Sequence, residues 1–270
     1  MSEPASQQLR EMYQYSGFSF PVDVMSASDA DQHYSRLVEF EAEQGPMHYR
    51  VKPYLIFRSA YEIATHPSLL DAVESVLGSN ILLWDCSYVI KEPESEGFVS
   101  GHQDLTYWGL KMRSDDDLVS AWVALTEATT ENGCMQFVDE SHKAPRFVHE
   151  DTYDNRNILH RGQSIQNDFV DSEITQIELM PGQASLHHGW AVHSSNPNRS
   201  QTRRVAITLN YVKPRVQQIV GEKESATLVR GQDDYHHFLP EPVCEIDLAP
   251  ENVVFQLAAE RMKREVYDTA

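Results

Sequence analysis

The sequence predicts a mainly β protein with flanking helices, a β-sandwich or barrel set behind an N-terminal helical layer. Three observations carry this reading. Residues 1–79 space their apolar side chains at helical intervals. From Ile81 the texture changes to short apolar or alternating runs separated by loops. The chain of 270 residues, 41% apolar and without a compositional break, has the material for one sizeable core. One domain over 1–270 is expected: helical support over 1–79, a β core over 80–215, and a C-terminal extension over 216–270 packed on that core.

In chain order, Ser26 and Ser28 offer N-caps ahead of Ala30, Tyr34, Leu37 and Val38, which share one helical face, and Gln44-Gly45-Pro46 stops the helix. A second helical stretch is expected over 54–65. A third starts at Pro67, turns Leu69, Leu70, Val73, Val76 and Leu77 inward and closes at Gly78. Strands are expected over 81–90, 118–125, 134–138, 174–180, 184–188 and 204–212. Between them, 144–171 is polar and aperiodic, and reads as a long loop that covers or lines a site. A terminal helix is expected over 251–267. No internal repeat or low-complexity tract interrupts this order.

Composition narrows the function classes. A formal charge of −19 repels nucleic acid and anionic membranes. No apolar stretch approaches the ~18 residues of a membrane span, and the N-terminus lacks a basic-then-apolar export pattern. Three widely spaced cysteines without a CxxC pair suggest neither a disulfide framework nor a zinc knuckle, so a reducing, cytoplasmic setting is expected. The acidic surface is read as serving solubility. Oligomeric state, monomer or homodimer, is left open.

The chemistry is concentrated in His102-Gln103-Asp104, answered by His193 and then Arg204. Two imidazoles and one carboxylate on one edge of a metal leave the opposite positions open, the arrangement that non-heme Fe(II) oxygenases use to admit a bidentate co-substrate and O₂. The strand carrying Arg204 provides a geometric check. Its period of two sets Val205, Ile207 and Leu209 on one face and Arg204, Ala206, Thr208 and Asn210 on the other. Arg204 is therefore expected to point into the barrel, where a buried guanidinium needs a carboxylate or phosphate to grip.

The residues from about 80 to 212 resemble the phytanoyl-CoA dioxygenase family of Fe(II)/2-oxoglutarate oxygenases. The segments that carry the likeness are Lys91-Glu92-Pro93, Gly101-His102-Gln103-Asp104-Leu105-Thr106-Tyr107-Trp108, Ser120-Ala121-Trp122-Val123-Ala124-Leu125 and Glu131-Asn132-Gly133-Cys134-Met135. They are followed, in order, by Ser141-His142, Pro181-Gly182-Gln183, His193-Ser194-Ser195-Asn196-Pro197-Asn198 and Arg203-Arg204. The resemblance implies a double-stranded β-helix, or jelly roll. It implies His102, Asp104 and His193 as iron ligands, and Arg204 as partner of the distal carboxylate of 2-oxoglutarate, with Ser195, Gln103 and Trp122 beside that co-substrate. It implies hydroxylation of a small-molecule substrate with succinate and CO₂ as co-products, since related halogenases lack the carboxylate that Asp104 supplies. Desaturation, cyclisation or epimerisation on the same iron centre is the alternative, and a non-catalytic jelly-roll binding protein is the alternative of another class. Gly101 departs from bulkier residues in relatives, which suggests a wider pocket beside the metal; Asp139-Glu140 replaces Pro-Gly at a turn.

Other residues receive quieter readings. His187 and His188 precede the distal ligand closely, and the family pattern favours His193 over both. Tyr107, Trp108, His188 and Trp190 are expected to line the substrate pocket, where aromatic faces suit an apolar moiety or a quaternary ammonium. Arg203 reads as a solvated neighbour of Arg204. Asp115-Asp116-Asp117 lacks the spaced oxygens and turn glycine of a Ca²⁺ loop and reads as solvated. His236-His237 is a candidate for the active-site mouth. The expected substrate is a small polar compound such as an amino acid derivative or aminoalkylphosphonate, for which Arg146, Arg156, Arg161 and Arg215 are candidate anion partners.

Overall fold

The computed structural model describes residues 3–144, 146–159, 161–165, 169, 173–220 and 223–269. Two β-sheets face each other in a jelly roll. The larger has seven strands in the spatial order Phe18–Asp23, Gln183–His187, Leu118–Ala124, Arg204–Val212, Ile81–Lys91, Ser225–Arg230 and Leu239–Pro240. The smaller runs Val99–His102, His193–Ser195, Met135–Val138 and Ile174–Ile177. All pairings within these two sheets are antiparallel except the last pair of the larger one.

Among the described residues, five α-helices accompany the sheets: α1 (Glu3–Ser16), α2 (Ala27–Gln44), α3 (Arg58–Ala64), α4 (Pro67–Leu77) and α5 (Pro250–Thr269). Ser26 caps α2 by accepting from the Asp29 amide at 3.1 Å, and Gly45 ends it at φ 82°, a conformation a glycine adopts without strain. Leu37 and Phe40 of α2, Ala60 and Ile63 of α3, and Leu69 and Val73 of α4 form one buried cluster with Val205, Ile207, Leu209, Cys86, Tyr88 and Ala121 of the larger sheet. The apolar face of each central strand thus packs on helices. Its other face, which carries the polar residues, looks toward the smaller sheet.

The structure differs from the sequence reading in several places, each with a local cause. The stretch over 54–65 is broken into a 3-10 turn at Pro53–Leu55 and α3, and Val38 is exposed. The first 79 residues also supply Phe18–Asp23, an edge strand, the position where its Pro21 costs no ladder hydrogen bond. Val99–His102 and His193–Ser195 are short and rich in Ser and Gly, so they carry no strand signal of their own. The segment 144–171 holds a small hairpin, His149–Asp151 with Gln163–Ile165; residues 145, 160, 166–168 and 170–171 of that expected loop lie outside the described residues. Asp117 is not solvated: its side chain is buried, with Arg215 at 2.6 Å and Lys213 at 3.6 Å. Arg203 is likewise not a free neighbour of Arg204, since it pairs with Glu41 at 2.8 Å and Glu92 at 2.9 Å.

The C-terminal residues are stitched into the core. Glu241, whose side chain is fully buried, accepts from Lys52, Tyr54, Ser225 and Thr227, each at 2.7 Å. Asn252, Gln256 and Lys263 of α5 reach the Leu55 carbonyl (2.8 Å), the Val51 carbonyl (2.9 Å) and the Asp85 carboxylate (2.9 Å). No helix among the described residues is long and apolar enough to cross a membrane. Because Glu241→Ala would strand Lys52 and three hydroxyls in the interior, it is expected to cost about 3–5 kcal/mol of stability in urea unfolding.

Candidate metal centre

His102 and His193 sit directly opposite each other on adjacent antiparallel strands of the smaller sheet, and this register holds their rings 4.1 Å apart. Asp104 opens the 3-10 turn that follows His102, which swings its carboxylate back toward both rings. Its Oδ1 lies 3.4 Å from His102 Nε2 and 3.8 Å from His193 Nε2, and the three ligand atoms fall within 4.8 Å of one another. Both imidazoles have their Nδ1 on a backbone carbonyl, His102 on Ser100 and His193 on Ala191, each at 3.0 Å. A carbonyl only accepts, so Nδ1 carries the proton and Nε2 presents its lone pair to the centre.

The electrostatics suit a cation. Burial pulls His193 down to about 3, so its ring is neutral at pH 7. Burial by itself would raise Asp104, but the facing imidazoles of His193, His102 and His187 hold it well below the usual carboxylate range. A divalent ion among the three groups would satisfy both demands at once, accepting the imidazole lone pairs and balancing the carboxylate. Two imidazoles and a carboxylate are a donor set that fits iron and other borderline metals.

The triad opens onto a cavity of about 750 Å³. At one end lie Arg204, Trp122 and Ser195. Arg204 is 1% exposed; Nη1 donates to the Gly133 carbonyl at 2.6 Å, while Nε and Nη2 have no partner among the described residues. Burial depresses this guanidinium to about 10, and its face lies over the Trp122 ring at 5.2 Å. Lys91, opposite Arg204 in register, donates to Ser195 Oγ at 2.7 Å and to the Asn196 carbonyl; burial, then the Arg204 charge, pulls it down to about 6. One buried cation with guanidinium nitrogens to spare, beside the Lys91 amine, forms a site for a carboxylate.

The other end is walled by α5, through Glu260, Lys263 and Arg264. Between the ends, a row of polar side chains crosses four neighbouring strands: His187 opposite Ser120, Ser120 opposite Asn210, Asn210 opposite Asp85. Ser120 Oγ and Asn210 Oδ1 are buried without a hydrogen-bond partner among the described residues. Lys263 closes the row on Asp85 and rests over the Trp84 ring at 4.0 Å.

Of the residues singled out in the sequence, His102, Asp104, His193, Arg204, Ser195, Trp122, Tyr107 and Trp108 meet at this cavity. Three others do not line it. Gln103 is fully buried, its amide spent on the Trp190 carbonyl (2.8 Å) and the Phe147 amide (3.1 Å), so it ties the ligand strand to the 188–191 turn. His188 accepts from the Trp190 amide at 3.0 Å and packs against Tyr13 and His142. Trp190 packs beneath the Arg146 guanidinium at 4.1 Å. The expectations that Gln103 sits beside the co-substrate and that His188 and Trp190 line the pocket are therefore corrected. His236 and His237 also lie away from the cavity, His237 against Gln217 at 2.9 Å. Gly101 is not among its lining residues, and the nearest atom an added Cβ would meet is Val192 Cγ1 at 3.9 Å. Arg146, Arg156, Arg161 and Arg215 are not among its lining residues.

Sequence reading missed Asp85 and the α5 residues, and named His187 only as a rival to His193. Asp85 had a visible signal, a lone charge inside the apolar run Ile81-Leu82-Leu83-Trp84-Asp85-Cys86. The α5 residues had none, because an amphipathic helix does not announce where it docks.

Comparison with known proteins agrees with this geometry. The model of the phytanoyl-CoA dioxygenase (PhyH) family matches residues 26–206. A phytanoyl-CoA dioxygenase domain-containing protein 1 homolog of Caenorhabditis elegans is 32% identical over 132 residues, 47% of this chain and 44% of the relative. A probable alpha-ketoglutarate-dependent hypophosphite dioxygenase of Stutzerimonas stutzeri is 28% identical over 162 residues, 59% of this chain and 54% of the relative. The chain thus spans about half the length of the curated relatives it matches. Among solved structures, the apo form of the non-heme monooxygenase ThoJ superposes with a TM-score of 0.85 at 31% identity, covering 96% of this chain and 97% of that one. A nickel complex of ThoJ superposes at 0.79 and 30% identity, covering 96% of this chain and 98% of that one.

Metal-stripped protein titrated with Ni(II) in a calorimeter is expected to bind one equivalent. Asp104→Ala and His193→Ala are each expected to weaken that binding by more than the roughly 10–100-fold typical of losing an outer-shell partner.

Proposed function

This chain belongs to the phytanoyl-CoA dioxygenase family, and from that premise we propose that it is an Fe(II)- and 2-oxoglutarate-dependent oxygenase that hydroxylates a small polar molecule. The observation that carries the reading is Arg204: a buried guanidinium with two unpaired nitrogens on the same cavity as a two-histidine, one-carboxylate cluster. Neither feature has a structural use alone, and together they match a bidentate dicarboxylate bound at a metal.

In this reading His102, Asp104 and His193 hold the iron, and Arg204 receives the distal carboxylate of 2-oxoglutarate. Ser195 stands beside that carboxylate, itself positioned by Lys91. Once iron and 2-oxoglutarate are bound, they supply the oxidising chemistry: one atom of O₂ enters a substrate C–H bond as hydroxyl, the other enters succinate, and CO₂ is released. The protein's own contribution is orientation and exclusion of water. Trp122 covers the guanidinium, and Met135, Val99, Ile158 and Leu159 make the flank of the cavity opposite the polar row apolar. Asp104 keeps a carboxylate at the coordination position that halogenating relatives vacate, which favours hydroxylation.

The substrate lies between the metal and α5. The charged groups there are paired, buried Lys263 with Asp85 and, at the solvent-facing rim, Arg264 with Glu260. A singly charged molecule would leave one charge uncompensated in a buried space, whereas a neutral or zwitterionic one adds none. Small metabolites that hydrogen-bond without net charge are the class to screen.

The test is reconstitution with Fe(II) and 2-oxoglutarate under nitrogen, followed by air and a metabolite panel, with succinate release as readout. Substrate-coupled succinate with a product heavier by one oxygen is expected; a product of unchanged mass or two hydrogens lighter would replace hydroxylation by another oxidation. Arg204→Met is expected to raise the 2-oxoglutarate Kd at least thirtyfold, from the loss of about 2 kcal/mol or more, while Ni(II) binding stays as in the wild type. Unchanged 2-oxoglutarate affinity in that variant would remove Arg204 from the co-substrate site.

A further inference from the structure

The chemistry above leaves one imidazole beside the triad without a role. His187 ends the Gln183–His187 strand, is 1% exposed and lines the same cavity. Its ring stands between Phe137 and His193, with centroids 5.1 Å from each. Nε2 lies 3.7 Å from Asp104 Oδ2. The two oxygens of that carboxylate therefore have divided surroundings, since Oδ1 is the one that faces His102 and His193. The mutually close set of donor atoms comprises His102, Asp104 and His193 and does not extend to His187.

We propose that His187 is a positioning residue that holds Oδ2 of Asp104 by an N–H donated from Nε2, so that the carboxylate binds the metal through Oδ1 alone. This rests on the reading of the triad as a metal site. A carboxylate free to turn can ligate a metal through both oxygens. Here that would consume a coordination position that the bidentate co-substrate or O₂ requires. A donor fixed on the Oδ2 side prevents it, and outer partners of this kind are how proteins orient ligating carboxylates. The imidazole is free to take the required tautomer, because Nδ1 has no hydrogen-bond partner among the described residues and makes no competing demand for the proton. At 3.7 Å the contact is longer than a hydrogen bond, and a shift of about 0.8 Å would bring it to the usual length.

The strand register explains why this position is available. His187 pairs with Ser120 across the ladder, so its side chain rises from the larger sheet toward the smaller one. It approaches Asp104 from the side opposite the His102 and His193 strands.

The test uses His187→Phe, which keeps a ring of similar volume without a donor, and His187→Gln, which restores an N–H. With Ni(II) alone as probe, His187→Phe is expected to bind roughly 10–100-fold more weakly than wild type, and His187→Gln to recover most of the loss. The metal-free unfolding temperature of His187→Phe is expected to stay level or rise, because the substitution removes a buried unpaired nitrogen. A merely structural role would move stability and leave metal affinity alone. The proposal is overturned if His187→Phe binds Ni(II) as tightly as wild type, or if glutamine recovers nothing, as a direct ligand role would give. If the wild type itself bound no Ni(II), the triad reading would fall and this inference with it; uptake that Asp104→Ala abolishes separates the two failures.

Discussion

The two-sided character of the Arg204–Val212 strand is the constraint on which the molecule depends. Val205, Ile207 and Leu209 are buried among helices, and the alternate residues Arg204, Thr208 and Asn210 line the cavity. Because side chains alternate strictly along a strand, a slip of one residue would bury the guanidinium against α-helical leucines and turn the apolar residues into the cavity. Such a slip is disfavoured at every position at once. The central location of this strand, paired along its length on both sides, transmits the same register to Leu118–Ala124 and Ile81–Lys91. Asp85 and Ser120 are thereby brought level with Asn210, and Lys91 level with Arg204.

A jelly roll built this way has an interior that is polar on purpose. An ordinary core of this size would be filled with leucine and valine and would leave no cavity. Here the inner face of the larger sheet carries Arg204, Asn210, Ser120, His187 and Asp85. Several of these have polar atoms with no partner among the described residues, and each such atom costs stability. The cost is offset by the opposite face, where α2, α3 and α4 supply a continuous apolar layer. Buried charges are tolerated where they are neutralised locally, as at Lys52 with Glu241 and at Lys263 with Asp85. Arg204 is the exception, a buried guanidinium with no carboxylate against it among the described residues.

The helical layer and the central strands were legible because their signals are local. Ser26, Gly45, Pro67 and Gly78 punctuate helices, and β-branched alternation marks 204–212. The candidate ligand histidines were singled out by motifs that resemble a family pattern, although the strands that hold them are too short to register as strands. What went unread was long-range. Phe18–Asp23 is a strand only because an edge of the larger sheet accepts it, and Asp117 is buried only because Arg215, far along the chain, folds over it. Gln103, adjacent in sequence to His102 and Asp104, serves the backbone around it, since the neighbour of an inward residue on extended chain points to the opposite face, and Trp190, in the turn before His193, packs beneath Arg146.

By itself the sequence determined the mainly β class, the helical layer and the inward face of the Arg204 strand, which follow from periodicity, while the jelly roll and the candidate donor set His102, Asp104, His193 were implied by motifs that resemble a known family. Only the tertiary structure decided which polar groups share one cavity with that donor set. Asp85, Asn210, His187 and the α5 residues Glu260 and Lys263 come from strands and a helix separated by most of the chain. Their meeting depends on cross-strand register and on where α5 docks. Both are set by the sum of many weak packing contacts over the whole core, which no local pattern encodes.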